Sequence, residues 1–222
     1  MLIAVPLTDE DFKDRVREAK EKGADIVELR VDLFSRRDPD YVLELLMLAK
    51  ETGLKTILTV RSPEEGGREV KNRKEIYERV APHSDFADVE LSSRGLILPV
   101  REALSKGRGR LILSFHDFER TPPSWVIREV IREGFRYGGI PKVAVMARTY
   151  DDVARLLCIG SQERGEKILI AMGEKGKVSR VAGFVFGSVI TYASLGEPVA
   201  PGQLSLEETV KLRELLYEDK NL

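Results

Sequence analysis

A lysine, a histidine and alternating charged residues carry the chemistry available to this sequence. In Lys142–Ala147, Lys142, Ala144 and Met146 fall on one side of an extended segment, and Val143, Val145 and Ala147 on the other. Small Ala144 leaves room beside the lysine. A neutral lysine amine attacks carbonyls and forms imines. An ordinary lysine, with a pKa of about 10.4, is protonated at neutral pH, and lowering that by about three units takes roughly 4 kcal/mol. Burial and nearby positive charge both act in that direction, and Arg30, Arg61 and Arg180 are the candidate neighbours. His116 closes the apolar run Leu111–Phe115 and precedes a loop containing Thr121, Pro122 and Pro123. An imidazole gives and takes protons near neutrality. Glu65, in the loop Glu64–Gly67, is one candidate to orient it, and Asp88 is another.

Other charges stand where an apolar face is expected. In Asp25–Asp32, Val27, Leu29 and Val31 share one face, and Ile26, Glu28, Arg30 and Asp32 share the other. Phe86–Leu91 repeats the pattern with Asp88 and Glu90, and Ile57, Thr59 and Arg61 do so in a third segment. Burying an unpaired charge costs several kcal/mol. Such residues serve either a site or a structural ion-pair network.

The elements that position these groups alternate. Strands are expected at Leu2–Pro6, Asp25–Arg30, Lys55–Arg61, Phe86–Leu91, Arg110–Phe115, Lys142–Ala147, Lys167–Met172 and Phe184–Val189, with a helix after each. Thr8 is expected to cap the first helix. Asp38 followed by Pro39 opens the second. The fourth helix is expected near Leu98–Ser105. Ser205 and Glu208 form a capping box for the last. Eight such units at roughly 28 residues each suit a single (β/α)8 TIM barrel spanning residues 1–222. The alternative is an open doubly wound sheet, but its strands would be apolar on both faces, and several here are not. Barrel active sites lie at the C-terminal strand ends. Lys142 opens its expected strand, so strand stagger and a long stem must lift its amine towards that end.

Composition narrows the function. The net charge of −1 gives no electrostatic case for nucleic acid or an anionic membrane. No apolar run approaches the ~20 residues of a membrane span, and apolar Met1–Pro6 is too short for the core of a signal peptide, so none is expected. One cysteine, Cys158, excludes an intrachain disulfide framework, and the cytoplasm is the expected compartment. No histidine or cysteine cluster has metal-ligand spacing and no glycine-rich dinucleotide fingerprint follows a strand, so neither metal nor cofactor is expected. Scarce Asn and Gln beside abundant charge suggest a thermophilic source. His83 precedes the fourth strand, away from the expected site. Trp125, Tyr41 and Cys158 read as helix-packing residues.

Several motifs occur in order: Glu28-Leu29-Arg30; Thr59 to Gly67; Ser114 to Phe118 with Thr121-Pro122; Pro141 to Met146; Ala171-Met172-Gly173 with Ser179-Arg180; Phe186-Gly187-Ser188; and Ala200 to Gln203. Together they resemble the type I 3-dehydroquinate dehydratases over nearly the whole chain. The resemblance implies dehydration of 3-dehydroquinate to 3-dehydroshikimate in the shikimate pathway of aromatic amino acid biosynthesis. It implies an imine on Lys142, proton transfer by His116 and a carboxylate clamp at Arg180. Glu28, Arg30, Arg61 and Gln203 would hold ring hydroxyls, and Met172 would pack on the ring. It also implies a homodimer. Many members have serine before Ala-Pro-Gly-Gln, where Val199 stands here.

Two other readings stand beside this one. Gly173, Gly176, Gly187 and Ser188 follow the last two strands, where barrels often bind phosphate, as a Schiff-base aldolase acting on a sugar phosphate requires. A catalytically silent binding barrel would lack Lys142 or His116, and both are present. Pro201–Gln203 is expected to be a lid, mobile or open without ligand and ordered over a bound substrate.

Overall fold

The computed structural model describes residues 1–198 and 200–217. Eight parallel strands run β1 (Leu2–Leu7), β2 (Ile26–Arg30), β3 (Lys55–Thr59), β4 (Phe86–Glu90), β5 (Arg110–Asp117), β6 (Ile140–Met146), β7 (Ile168–Met172) and β8 (Ile190–Tyr192). Consecutive strands pair from β1 to β7, and β8 pairs with β1. A single bridge between Lys167 and Ser188 links the remaining edges. The result is a nearly closed (β/α)8 TIM barrel. The helices between the strands are α1 (Phe12–Glu21), α2 (Pro39–Glu51), α3 (Arg73–Val80), α4 (Arg94–Ser105), α5 (Ser124–Arg136), α6 (Tyr150–Gln162), α7 (Ser179–Ala182) and α8 (Leu206–Leu216).

Strand alternation divides the apolar residues into two clusters. Val27, Leu29, Leu58, Val89, Leu113, Val143 and Val145 face the helices. Ile26, Ile57, Phe86, Ile112, Ile140, Ile168 and Ile190 close the lower barrel interior. Burying each of these large side chains contributes roughly 1.5–3 kcal/mol. Two residues further along β2 to β6, the inward positions become Glu28, Thr59, Asp88, Ser114 and Lys142. The interior thus changes from a branched apolar plug to a polar layer within one repeat of the strand.

Helix boundaries follow local capping. The Asp38 side chain accepts from the Tyr41 backbone N–H at 3.0 Å, with Pro39 opening α2. Ser205 and Glu208 form the expected reciprocal box at α8. Asp11 rather than Thr8 precedes α1, in a left-handed conformation. The fourth helix starts at Arg94, placing Pro99 inside it.

Three placements correct the sequence reading. The strand carrying Lys142 starts at Ile140, so Lys142 lies inside it, opposite Ser114. The last strand is Ile190–Tyr192, not Phe184–Val189. Gly183–Phe186 instead forms a 3₁₀ turn that ends at Gly187, whose φ of 92° breaks an extended run. Trp125 and Cys158 do not pack on the core. Both fall off the buried stripes of their helices and are exposed. Tyr41 is half-buried, with Arg36 over its ring at 4.8 Å.

Candidate active site

A cavity at the C-terminal strand ends is lined by Glu28, Arg30, Arg61, Glu65, His116, Lys142, Met172, Arg180 and Gln203, together with Tyr192 and Phe118. All nine residues chosen from the sequence therefore meet in one place. His83 is exposed at the end of the turn that enters β4.

Lys142 is 4% exposed. Its Nζ donates to Asp88 Oδ2 at 2.9 Å. Asp88 Oδ1 takes the Arg61 guanidinium at 2.9 Å and the Ser114 hydroxyl at 2.6 Å. Burial opposes ionisation of Asp88, but Arg61 and Lys142 outweigh it and hold the carboxyl far below its usual range. Counting arginines alone leaves out this counter-ion, which faces the amine directly. Alternation had marked Asp88 as inward but could not say that it pairs with Lys142.

A second layer fixes Arg61. Its Nη1 reaches Glu90 Oε1 at 3.1 Å, and Arg73 and Ser93 hold the other Glu90 oxygen at 2.5 and 2.9 Å. Arg30 forms a fork with Asp32 at 3.0 and 2.8 Å, and Glu28 accepts from Thr59 Oγ1 at 2.7 Å. Such paired charges are held in place by hydrogen bonds on both partners.

His116 belongs to β5 itself, one residue further than its expected end. Glu65 Oε2 accepts from the His116 backbone N–H at 3.1 Å and lies 2.8 Å from Nδ1. Ser92 donates to the other oxygen at 2.8 Å. With Glu65 as acceptor, Nδ1 carries the hydrogen and Nε2 keeps its lone pair. Burial, with Arg61 and Lys142 nearby, lowers the His116 pKa well below its ordinary value. Burial pushes Glu65 up to about 7. A proton added to the pair near neutral pH therefore goes to Glu65 rather than to His116. Phe118 stacks on His116, with ring centroids 6.0 Å apart.

Arg180 is 2% exposed and has no carboxylate partner among the described residues. It donates to the carbonyls of Gly202, Pro201 and Tyr192 at 2.8, 3.0 and 3.4 Å. Burial alone lowers its pKa to about 10.

The Pro201–Gln203 loop lies over the barrel mouth. It already lies against Arg180, and the Gly173 N–H donates to the Pro201 carbonyl at 3.1 Å. Gln203 is buried and lines the cavity. Val199 lies outside the described residues, so its substitution for serine has no structural account.

Comparison with known proteins follows the same residues. Residues 3–220 match the family described as Type I 3-dehydroquinase. The chain belongs to the type I 3-dehydroquinase family. It is 62% identical to the 3-dehydroquinate dehydratase of Aquifex aeolicus strain VF5, covering 98% of this chain and 99% of that one. It is 52% identical to the 3-dehydroquinate dehydratase of Hydrogenobaculum sp. strain Y04AAS1, with 98% and 99% covered. The crystal structure of the Aquifex aeolicus enzyme superposes with a TM-score of 0.96 at 61% identity, covering 99% of this chain and 100% of the other.

Family membership accounts for motifs that local reading left open, but it did not reveal every group in the cavity. Tyr192 was missed because the last strand was placed too early. Ser114 was legible, since it alternates with Ile112 and His116 on the inward face. The glycines considered for phosphate each have a backbone reason. A Cβ at Gly176 would lie 2.1 Å from the Ala171 carbonyl oxygen, and Gly173 and Gly187 take φ of 84° and 92°. Ser188 Oγ accepts from the Leu169 backbone N–H at 3.0 Å. No described helix is long and apolar enough to cross a membrane.

Proposed function

We propose that this protein dehydrates 3-dehydroquinate to 3-dehydroshikimate through an imine on Lys142. The observation that carries the reading is the placement of a buried amine, a histidine–glutamate pair and a buried arginine, without a carboxylate partner among the described residues, around one cavity. The three supply a nucleophile, a proton carrier and an anion site.

The neutral Lys142 amine attacks the ring ketone, and loss of water gives an iminium. Its positive charge draws electrons from the neighbouring C–H bond. His116 Nε2 takes that proton, and the C–H electron pair forms an enamine. The enamine then expels the β-hydroxyl, which leaves as water with the proton returned by His116. Hydrolysis of the conjugated iminium frees the enone and regenerates Lys142. Glu65 keeps the imidazole in the required tautomer and orientation. Asp88 holds the amine in place before attack.

Arg180 would receive the substrate carboxylate, where a bidentate contact gives a buried guanidinium its missing counter-ion. Glu28, Arg30, Arg61 and Gln203 would orient ring hydroxyls, and Met172 would pack on the ring. The family likeness also supports a cytoplasmic homodimer in the shikimate pathway, acting on this small molecule without nucleic-acid or membrane partners. No feature of the cavity favours the sugar-phosphate aldolase.

The test is turnover of 3-dehydroquinate, followed by the ultraviolet absorbance of the conjugated product. Release of the enone is the expected result. Cleavage of a sugar phosphate without dehydroquinate turnover would overturn the assignment.

A further inference from the structure

Tyr192 is 6% exposed and lines the same cavity. Its ring lies under Lys142, with Nζ 4.2 Å from the ring centroid. Its backbone carbonyl accepts from Arg180 at 3.4 Å. Its hydroxyl is fully buried and has no hydrogen-bond partner among the described residues. Buried hydroxyls normally have one, because a donor taken out of water and left unmet loses its hydrogen bond without replacement. The two carboxylates that act on it electrostatically bond elsewhere. Asp88 is taken by Lys142, Arg61 and Ser114, and Glu28 accepts from Thr59.

We propose that Tyr192 is a further catalytic residue, whose hydroxyl donates a hydrogen bond to the oxygen of the carbonyl that Lys142 attacks. This rests on the imine reading above. An electrophile bonded to Nζ must lie beside the tyrosine ring over which this nitrogen sits. When the nitrogen lone pair forms the C–N bond, the carbonyl π pair moves to oxygen. That oxygen then takes a proton, and the nitrogen gives one up. A second proton lets the oxygen leave as water while the nitrogen lone pair forms the C=N bond. Tyr192 supports the charge that gathers on oxygen without giving up its proton. Burial, reinforced by Glu28 and Asp88, raises the phenol pKa well above its ordinary value, so the group remains a donor throughout. A donor placed before the charge develops stabilises the transition state more than the bound ketone. The ring adds attraction for the cationic nitrogen of the iminium.

The experiment is rapid-quench borohydride trapping with saturating 3-dehydroquinate, comparing wild type, Tyr192→Phe and Tyr192→Leu. Circular dichroism and Tm verify that each variant is folded. Tyr192→Phe keeps the ring and removes only the hydroxyl, and it should slow adduct formation on the order of tenfold or more. Tyr192→Leu should be slower still. A Tyr192→Phe rate equal to wild type would overturn the proposal, even if Tyr192→Leu is slow, because the ring alone would then account for the effect. No adduct in wild type would instead remove the imine reading on which the proposal stands.

Discussion

Lys142 Nζ and Asp88 Oδ2 are 2.9 Å apart within the barrel, and the same carboxylate also holds Arg61. One anion therefore neutralises two buried cations. Asp88→Asn should destabilise the protein by about 3–5 kcal/mol, because it leaves two cations without their common counter-ion. The Asp88 pKa is held far below its unfolded value, so its contribution is fully present above about pH 4 and is lost only as pH falls towards the folded value. Urea denaturation of both proteins should show a constant gap at neutral pH that narrows in strong acid. A gap that is absent at pH 7 would remove Asp88 as the keystone of the network.

Glu65 and His116 pull the pH dependence of stability in opposite directions. Glu65 rises to about 7, so the folded state keeps a proton that the unfolded chain loses above about pH 4.5. This lowers stability as pH rises from 4.5 to 7. His116 is shifted down, so the folded state lacks a proton that the unfolded chain holds below about pH 6.5, and stability falls as pH falls through that range. In the wild type the two slopes offset each other where they overlap. Glu65→Gln should expose the histidine slope, with stability relative to wild type increasing from pH 4.5 to 7. Parallel stability curves for the two proteins would contradict the pairing. The same variant should lose the limb near pH 7 from its rate profile and turn over at least tenfold more slowly.

Arg180 separates binding from folding. Replacing it with Met removes a buried cation that only carbonyls accompany, so Tm should hold or rise. Affinity for substrate and for carboxylate-bearing competitive inhibitors should fall together, by tenfold or more. Inhibitor titration by calorimetry measures this, and unchanged carboxylate affinity would move the anion site elsewhere.

Gly202 fixes the loop over the barrel mouth. Its φ is 69°, and an added Cβ would lie 2.2 Å from the Gly173 carbonyl oxygen. Gly202→Ala should lift the loop from Arg180, displace Gln203 and raise KM, with about 1–3 kcal/mol lost in stability. Faster amide exchange at Gly173, whose N–H donates to Pro201, would report the displacement. Exchange and KM both equal to wild type would show that the loop tolerates the side chain.

The sequence was most readable where strand alternation carried the signal. Glu28, Asp88 and Lys142 share faces with Ile26, Phe86 and Ala144, so their inward direction followed from parity alone. Parity does not say which inward charges touch. The Lys142–Asp88 pair joins β6 to β4 across β5 and depends on strand register. Strand ends were less legible. Phe184–Val189 is as apolar as a strand, but Gly187 turns the chain before the sheet begins, and that error hid Tyr192. Glycine content marks Pro201–Gln203 as a loop able to rearrange but does not say what it touches, so its hydrogen bonds to Arg180 were not legible.

Borohydride reduction in the presence of 3-dehydroquinate, followed by intact mass and peptide mapping, tests the central claim most directly. One covalent adduct is expected, on Lys142, and none in Lys142→Ala, which should keep its fold and lose nearly all turnover. An adduct on a different lysine, or full turnover with no adduct, would contradict it.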